Sequence, residues 1–114
     1  MAQLRLGELP EEPLAAAAMF HAEVLPRVRA GLAAAPADFT LILAPADYTH
    51  RAWRLAAVQA LAREYAPIRV NAVTSASEPA IAAALAFLDT AEGITGQLLE
   101  LDDTGAGEVV SSLA

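Results

Sequence analysis

The chain contains no cysteine and no lysine. Without cysteine it can form neither disulfides, thiolate nucleophiles nor thiolate metal sites, which fits a reducing compartment. All seven basic residues are arginine. The ordinary reading is coding bias in an alanine-rich, GC-rich genome, yet the absence also excludes any mechanism that needs a side-chain amine. Positive charge is scarce too: 7 Lys+Arg against 14 Asp+Glu leave a net charge of −7. That balance opposes binding to nucleic acid or to an anionic membrane surface, since both demand a basic face. Long apolar runs are missing as well. Glu23, Arg27, Arg29, Arg51, Arg54, Glu78 and Asp89 interrupt every stretch before it reaches the roughly 18–20 residues of a membrane span. Residues 1–13 lack the basic start, apolar core and small-residue cleavage site of a secretory signal, which predicts a soluble, cytoplasmic protein.

What is present is enough for one domain. At 114 residues the chain can build a single core and not two. Its 56% apolar content owes much to alanine, which favours helix and close helix packing. Residues 3–6 alternate polar and apolar and predict a short strand, and residues 8–13 form a charged, proline-bearing loop. Residues 14–35 carry Met19, Phe20, Val24, Val28 and Leu32 at helical spacing, with a kink expected at Pro26, which has no N–H to donate. Residues 39–44, FTLILA, read as a strand buried on both faces. Asp47 is placed to cap a second helix over 48–65, which has neither glycine nor proline. Residues 68–73, IRVNAV, form the next strand, followed by a helix over 79–90 and a last strand at 97–101. Residues 103–114 read as a loosely ordered tail.

Strands alternating with helices of this length predict the α/β class: a parallel sheet of three or four strands flanked by helices through right-handed crossovers. Periodicity by itself leaves a flavodoxin-like domain and a sulfate-transporter/anti-sigma-antagonist-like domain equally open.

Three segments break the tie: ALAREYAPIRVNAV, AIAAALAFL and ITGQLLELDD. In order and spacing they resemble the carboxy-terminal half of the short-chain dehydrogenase/reductase family, over residues 61–102, and FHAEVLPRV resembles the helix before that family's central strand. The resemblance implies a partial Rossmann-like fold. It also implies a site whose parts are missing here. The family binds NAD(P) through a Gly-rich turn, and the glycines of this chain give no such fingerprint between a strand and a helix; Gly105 and Gly107 follow the last strand with too few residues left for a helix. The family's catalytic Tyr falls on Asp47 and its Lys on Arg51, with Tyr48 one residue out of register. A guanidinium cannot relay a proton as an amine does. No serine lies between Phe39 and Tyr65, the family's active-site Asn has no counterpart, and the Pro-Gly that meets the nicotinamide is Thr74-Ser75. Asp47, Arg51, Thr74 and Ser75 are therefore degenerate active-site positions, and neither catalysis nor a bound cofactor is expected.

Other groups read as ordinary. His21 and His50 are single imidazoles without a ligand cluster, Asp102-Asp103-Thr104 reads as a solvated turn, and no serine, Ser111 and Ser112 included, sits in a nucleophile elbow. Trp53 divides between the core and a subunit interface. With Leu55 and Val58 as anchors and Arg51 and Arg54 at the rim, the helix over 48–65 is the candidate interface, because this helix resembles the one through which the family assembles. The expectation is a non-catalytic, oligomerising domain, most simply a homodimer, serving as scaffold or partner to another protein. The alternative is an oxidoreductase-like subunit that completes an NAD(P) site with a second polypeptide.

Overall fold

The computed structural model describes residues 1–101, so the tail 103–114, the Asp-Asp-Thr turn, Gly105, Gly107, Ser111 and Ser112 lie outside the described residues. Four strands form: β1 Ala2–Arg5, β2 Phe39–Leu43, β3 Val70–Thr74 and β4 Leu98–Glu100. They pair in parallel in the order β1-β2-β3-β4. β2 and β3 are buried along their whole length, as strands covered on both faces must be. β3 starts two residues later than its apolar run, because the Ile68 N–H is spent on the Tyr65 carbonyl in a turn and the Arg69 N–H on Asp38.

The first crossover comprises α1 Pro13–Met19, a π-helical turn Phe20–Val24 and α2 Leu25–Ala34. The kink expected at Pro26 is this widened turn, in which the Leu25 N–H reaches back five residues to the Phe20 carbonyl. Pro26 then stands in the first turn of α2, where a missing N–H costs nothing. The second crossover opens with a 3-10 turn Tyr48–His50, capped by Asp47 as expected, and continues as α3 Arg51–Glu64. The third is α4 Glu78–Thr90. No described helix is long and apolar enough to cross a membrane.

Side-chain alternation splits the core into two layers. On one face Phe20, Val24, Val28 and Leu32 pack with Val58 and Leu61 of α3 over Phe39, Leu41, Leu43, Val70, Ala72 and Leu98. On the other, Ile81 and Ala84 of α4 pack on Ile42 and Val73, with Leu99 alongside. The first and second crossovers thus lie on one face and the third on the opposite face, while all three step the same way across the sheet. They cannot all be right-handed, which corrects the sequence-based expectation. α3 already fills the first face above β3, so α4 has only the second face available. It also leaves Gln3 and Arg5, on the second face of β1, exposed. Arg5 spans part of that gap by a paired contact with Glu78, 2.6 and 3.0 Å.

One clamp closes the amino end of the sheet. Asp38 accepts from the Arg69 N–H and Nε, both at 2.9 Å, and from Nη2 at 2.8 Å, while the same guanidinium donates to the Leu88 and Ala91 carbonyls at the end of α4. The Arg69 backbone N–H, desolvation notwithstanding, and then its guanidinium hold the Asp38 carboxyl below its ordinary value. A depressed carboxylate stabilises the fold above its unfolded value of about 3.9 and loses that contribution as pH falls through the folded value. Asp38→Asn is therefore expected to melt below the wild type at neutral pH, with the gap narrowing below about pH 4. A gap unchanged between neutral and acidic buffers, measured by thermal circular dichroism, would show that the clamp carries no proton linkage.

Candidate functional site

In open α/β sheets ligands bind outside the carboxyl ends of the strands. Here the loops following β1 and β2 enclose a cleft of about 540 Å³ at that edge, with Leu6 and Leu43 at the strand ends and His50 and Arg54 behind them. Helix N-termini at this edge would offer backbone N–H groups to an anion. Each is closed by the chain itself. The Glu12 carboxylate accepts from the N–H groups of Leu14 (2.7 Å) and Ala15 (3.1 Å) at the start of α1. Asp47 accepts from the Thr49 N–H at 2.9 Å and from its hydroxyl, and Ser77 accepts from Ala80.

The positions singled out by the family resemblance sit on this edge. Asp47 is a helix cap, and the Thr49 hydroxyl, followed by the Thr49 N–H, holds its carboxyl below the ordinary value. Arg51 pairs with Glu100 of β4 at 2.9 Å. Thr74 ends β3 with a buried hydroxyl that has no hydrogen-bond partner among the described residues. The Ser75 hydroxyl accepts from the Ser77 N–H at 2.9 Å, which turns the chain into α4. Tyr48 is 86% exposed. The structure thus places Asp47, Arg51, Thr74 and Ser75 near one another, each within a local structural contact or, for Thr74, with none.

Two of the interface candidates lie elsewhere than expected. Val58 is 1% exposed and belongs to the core between α3 and the sheet, and Arg54 is 7% exposed; neither can reach another subunit. Both fall on the stripe His50, Arg54, Ala57, Val58 and Leu61, which is the inward face of the helix. Leu55 is half-buried against the same core. Trp53 packs 5.5 Å from the Phe20 ring and donates through Nε1 to His50 Nδ1 at 3.0 Å. With Nδ1 accepting, the imidazole proton belongs on Nε2, which donates to the Glu11 carbonyl at 2.8 Å. His50, read from the sequence only as a lone imidazole without a ligand cluster, is a buried tie between α3 and the loop before α1.

Arg54 is the least satisfied group of the site. Its Nη1 donates to the Ala44 carbonyl at 2.9 Å, its guanidinium lies 5.8 Å from the Trp53 ring, and its Nε is buried without a partner among the described residues. Burial pushes the guanidinium below its ordinary value, and the charge of Glu100 offsets part of that. Only its position on the inward stripe could have announced it.

The segment ITGQ also acquires a physical role. Asn71 on β3 donates to the Ile94 carbonyl and accepts from the Gln97 N–H, both at 3.0 Å, while Thr95 Oγ1 accepts from the Val70 N–H. Gly96 adopts φ +71°, a region L side chains rarely enter, and donates to the Val70 carbonyl at 2.8 Å. The motif is a buckle that seats β4 beside β3.

The residues present do not fit an NAD(P) pyrophosphate. The turn after β1 has Gly7 alone, it carries Glu8, Glu11 and Glu12, and the helix N-terminus beyond it is already filled by a carboxylate. Among the described residues no three His, Asp or Glu gather as a metal site. A family model described as SDR-like, short chain dehydrogenase-like protein, matches residues 4–101. No curated protein and no solved structure matches the chain. The matched span covers the end of β1, the other three strands and every crossover described above, and on that ground the chain belongs to the short-chain-dehydrogenase-like family.

Proposed function

We propose that this chain is a non-catalytic, degenerate member of its family that acts by association, as a homodimeric scaffold or as a partner to another protein. One observation carries the reading: the positions that would hold the phenol and the amine are Asp47, committed to capping a helix, and Arg51, committed to Glu100. Neither arrangement supplies a group poised to give or take a proton at neutral pH. Association uses the outward face of the α1 and α3 layer, where Leu14 is 80% exposed on α1 and Ala52, Ala56 and Ala60 are exposed on α3. Such surfaces allow close approach across a two-fold axis. Light scattering at micromolar concentration should give the mass of a dimer, and Ala56→Glu with Ala60→Glu should give a folded monomer. A monomeric wild type would end the proposal of self-association. Calorimetric titration should show no binding of NAD or NADP.

A second reading rests on β1, whose outer edge carries no strand among the described residues. The strand order never reverses, so the crevice that a doubly wound sheet forms at its reversal is missing. A second polypeptide adding strands beside β1 would create it. Nucleotide binding that appears only with a co-purified partner would favour this reading over the first.

A further inference from the structure

Buried charges in proteins are paired or hydrogen-bonded, because removing a lone charge from water is costly. Arg54 departs from that rule. It is more than nine-tenths buried, its one hydrogen bond goes to a neutral carbonyl, its Nε has no partner, and no carboxylate among the described residues lies within ion-pairing distance. Two spaces adjoin it. One, shared with Thr74, is about 10 Å³ and admits nothing larger than a water molecule. The other is the 540 Å³ cleft, within the size range of small-molecule sites.

The rim of that cleft has the opposite character. Glu8, Glu11 and Asp47 line it along with Arg54, so the acidic residues of the cleft oppose a simple anion approaching Arg54. A ligand suited to both ends carries a carboxylate for the guanidinium and a cationic group for the rim. Trp53 lies behind the guanidinium, 5.8 Å from it, rather than on the cleft wall. We propose that the cleft binds a small zwitterion, its carboxylate on Arg54 and its ammonium group toward Glu8 and Glu11. This site rests on neither proposal for association; it assigns the cleft a ligand of its own.

Trp53 is the only tryptophan and reports directly on the neighbouring charge. Its fluorescence should be followed in the full chain while 4-aminobutyrate, butyrate and butylamine are added in turn at constant ionic strength. The expected result is saturable binding of 4-aminobutyrate, about fivefold weaker binding of butyrate, and no response to butylamine. Arg54→Gln should abolish the response. Because that change touches the interior, Glu8→Gln with Glu11→Gln at exposed positions provides the second arm: it should weaken 4-aminobutyrate to the level of butyrate without altering the melting curve. Equal affinity of butyrate and 4-aminobutyrate for the wild type would overturn the proposal, as would an unaffected Glu8→Gln, Glu11→Gln protein. The absence of any saturable response would overturn it too, because Arg54 would then take its partner from the chain itself.

Discussion

Asn71→Asp should cost about 3–5 kcal/mol at neutral pH and should become less harmful as the pH falls. The amide is 2% exposed and uses both ends: its NH₂ donates to Ile94 and its oxygen accepts from Gln97. A carboxylate keeps the second bond but sets an oxygen against the Ile94 carbonyl, in a site where no cation reaches it among the described residues. Protonation restores a donor, so the folded value of the introduced carboxyl is raised above its unfolded value. The sign follows: the penalty is full above the folded value and fades as pH falls through it. Urea unfolding at neutral and acidic pH tests this, and a penalty that is constant or grows in acid would refute the donor role of Asn71. The Asp38→Asn gap also narrows in acid, but there the wild type loses stability, whereas here the variant gains it, so the absolute unfolding free energies in one pH series tell the two linkages apart.

Phe20→Ala should produce a comparable loss, about 3–5 kcal/mol, measured as a fall in the urea midpoint. Phe20 is 2% exposed at the start of the π-helical turn, where it touches Trp53 and anchors the first crossover to the sheet. Against a total stability of about 5–15 kcal/mol for a typical domain, this single truncation leaves little margin. Leu14→Ala removes an equally apolar side chain from the same crossover but at 80% exposure, and should change stability by no more than about 0.5 kcal/mol. Similar losses at the two positions would mean that the outward face of α1 is covered in solution, and would support association through it.

The sheet was legible because its inner strands are short apolar runs between prolines, as in FTLILA, and the cap of the second helix was legible because Asp47 stands where the first turn needs an acceptor. The rotational setting of α3 was not. Its alanines occur on both faces, so the contrast that orients an amphipathic helix is weak, and Arg54 reads as solvent-facing although it shares the inward stripe with Val58. The hand of the third crossover was also hidden, since a strand, helix and strand spell the same pattern whichever face the helix takes. At the site, the resemblance located Asp47, Arg51, Thr74 and Ser75, whereas Arg54, read as an interface-rim residue, and His50, read as a lone imidazole, took on their roles only once their burial was known. Asn71 was legible only as part of the strand IRVNAV, and the reason for it became visible only when the ITGQ segment was seen folded across it.

The wide turn at Phe20–Val24 fixes more than a bend. Phe20, Val24, Val28 and Leu32 recur every four residues, and in a regular α-helix each such step overshoots a full turn by about 40°. Three steps would carry Leu32 about 120° away from Phe20 and off the sheet. A π-helical turn winds more slowly and takes back part of that drift, which lets all four side chains reach one core. The compensation belongs to a particular count of residues. A descendant that lost one residue between Phe20 and Val24 would wind as unbroken α-helix with α1 turned by only about 30°, keeping the buried Ala16 near the core, whereas the same loss from the α-helical turns on either side would rotate α1 by about 100°. Along this crossover, then, Ala22 and Glu23 can change identity at little cost, and a one-residue deletion between Phe20 and Val24 should be tolerated sooner than one in the α-helical turns that flank them.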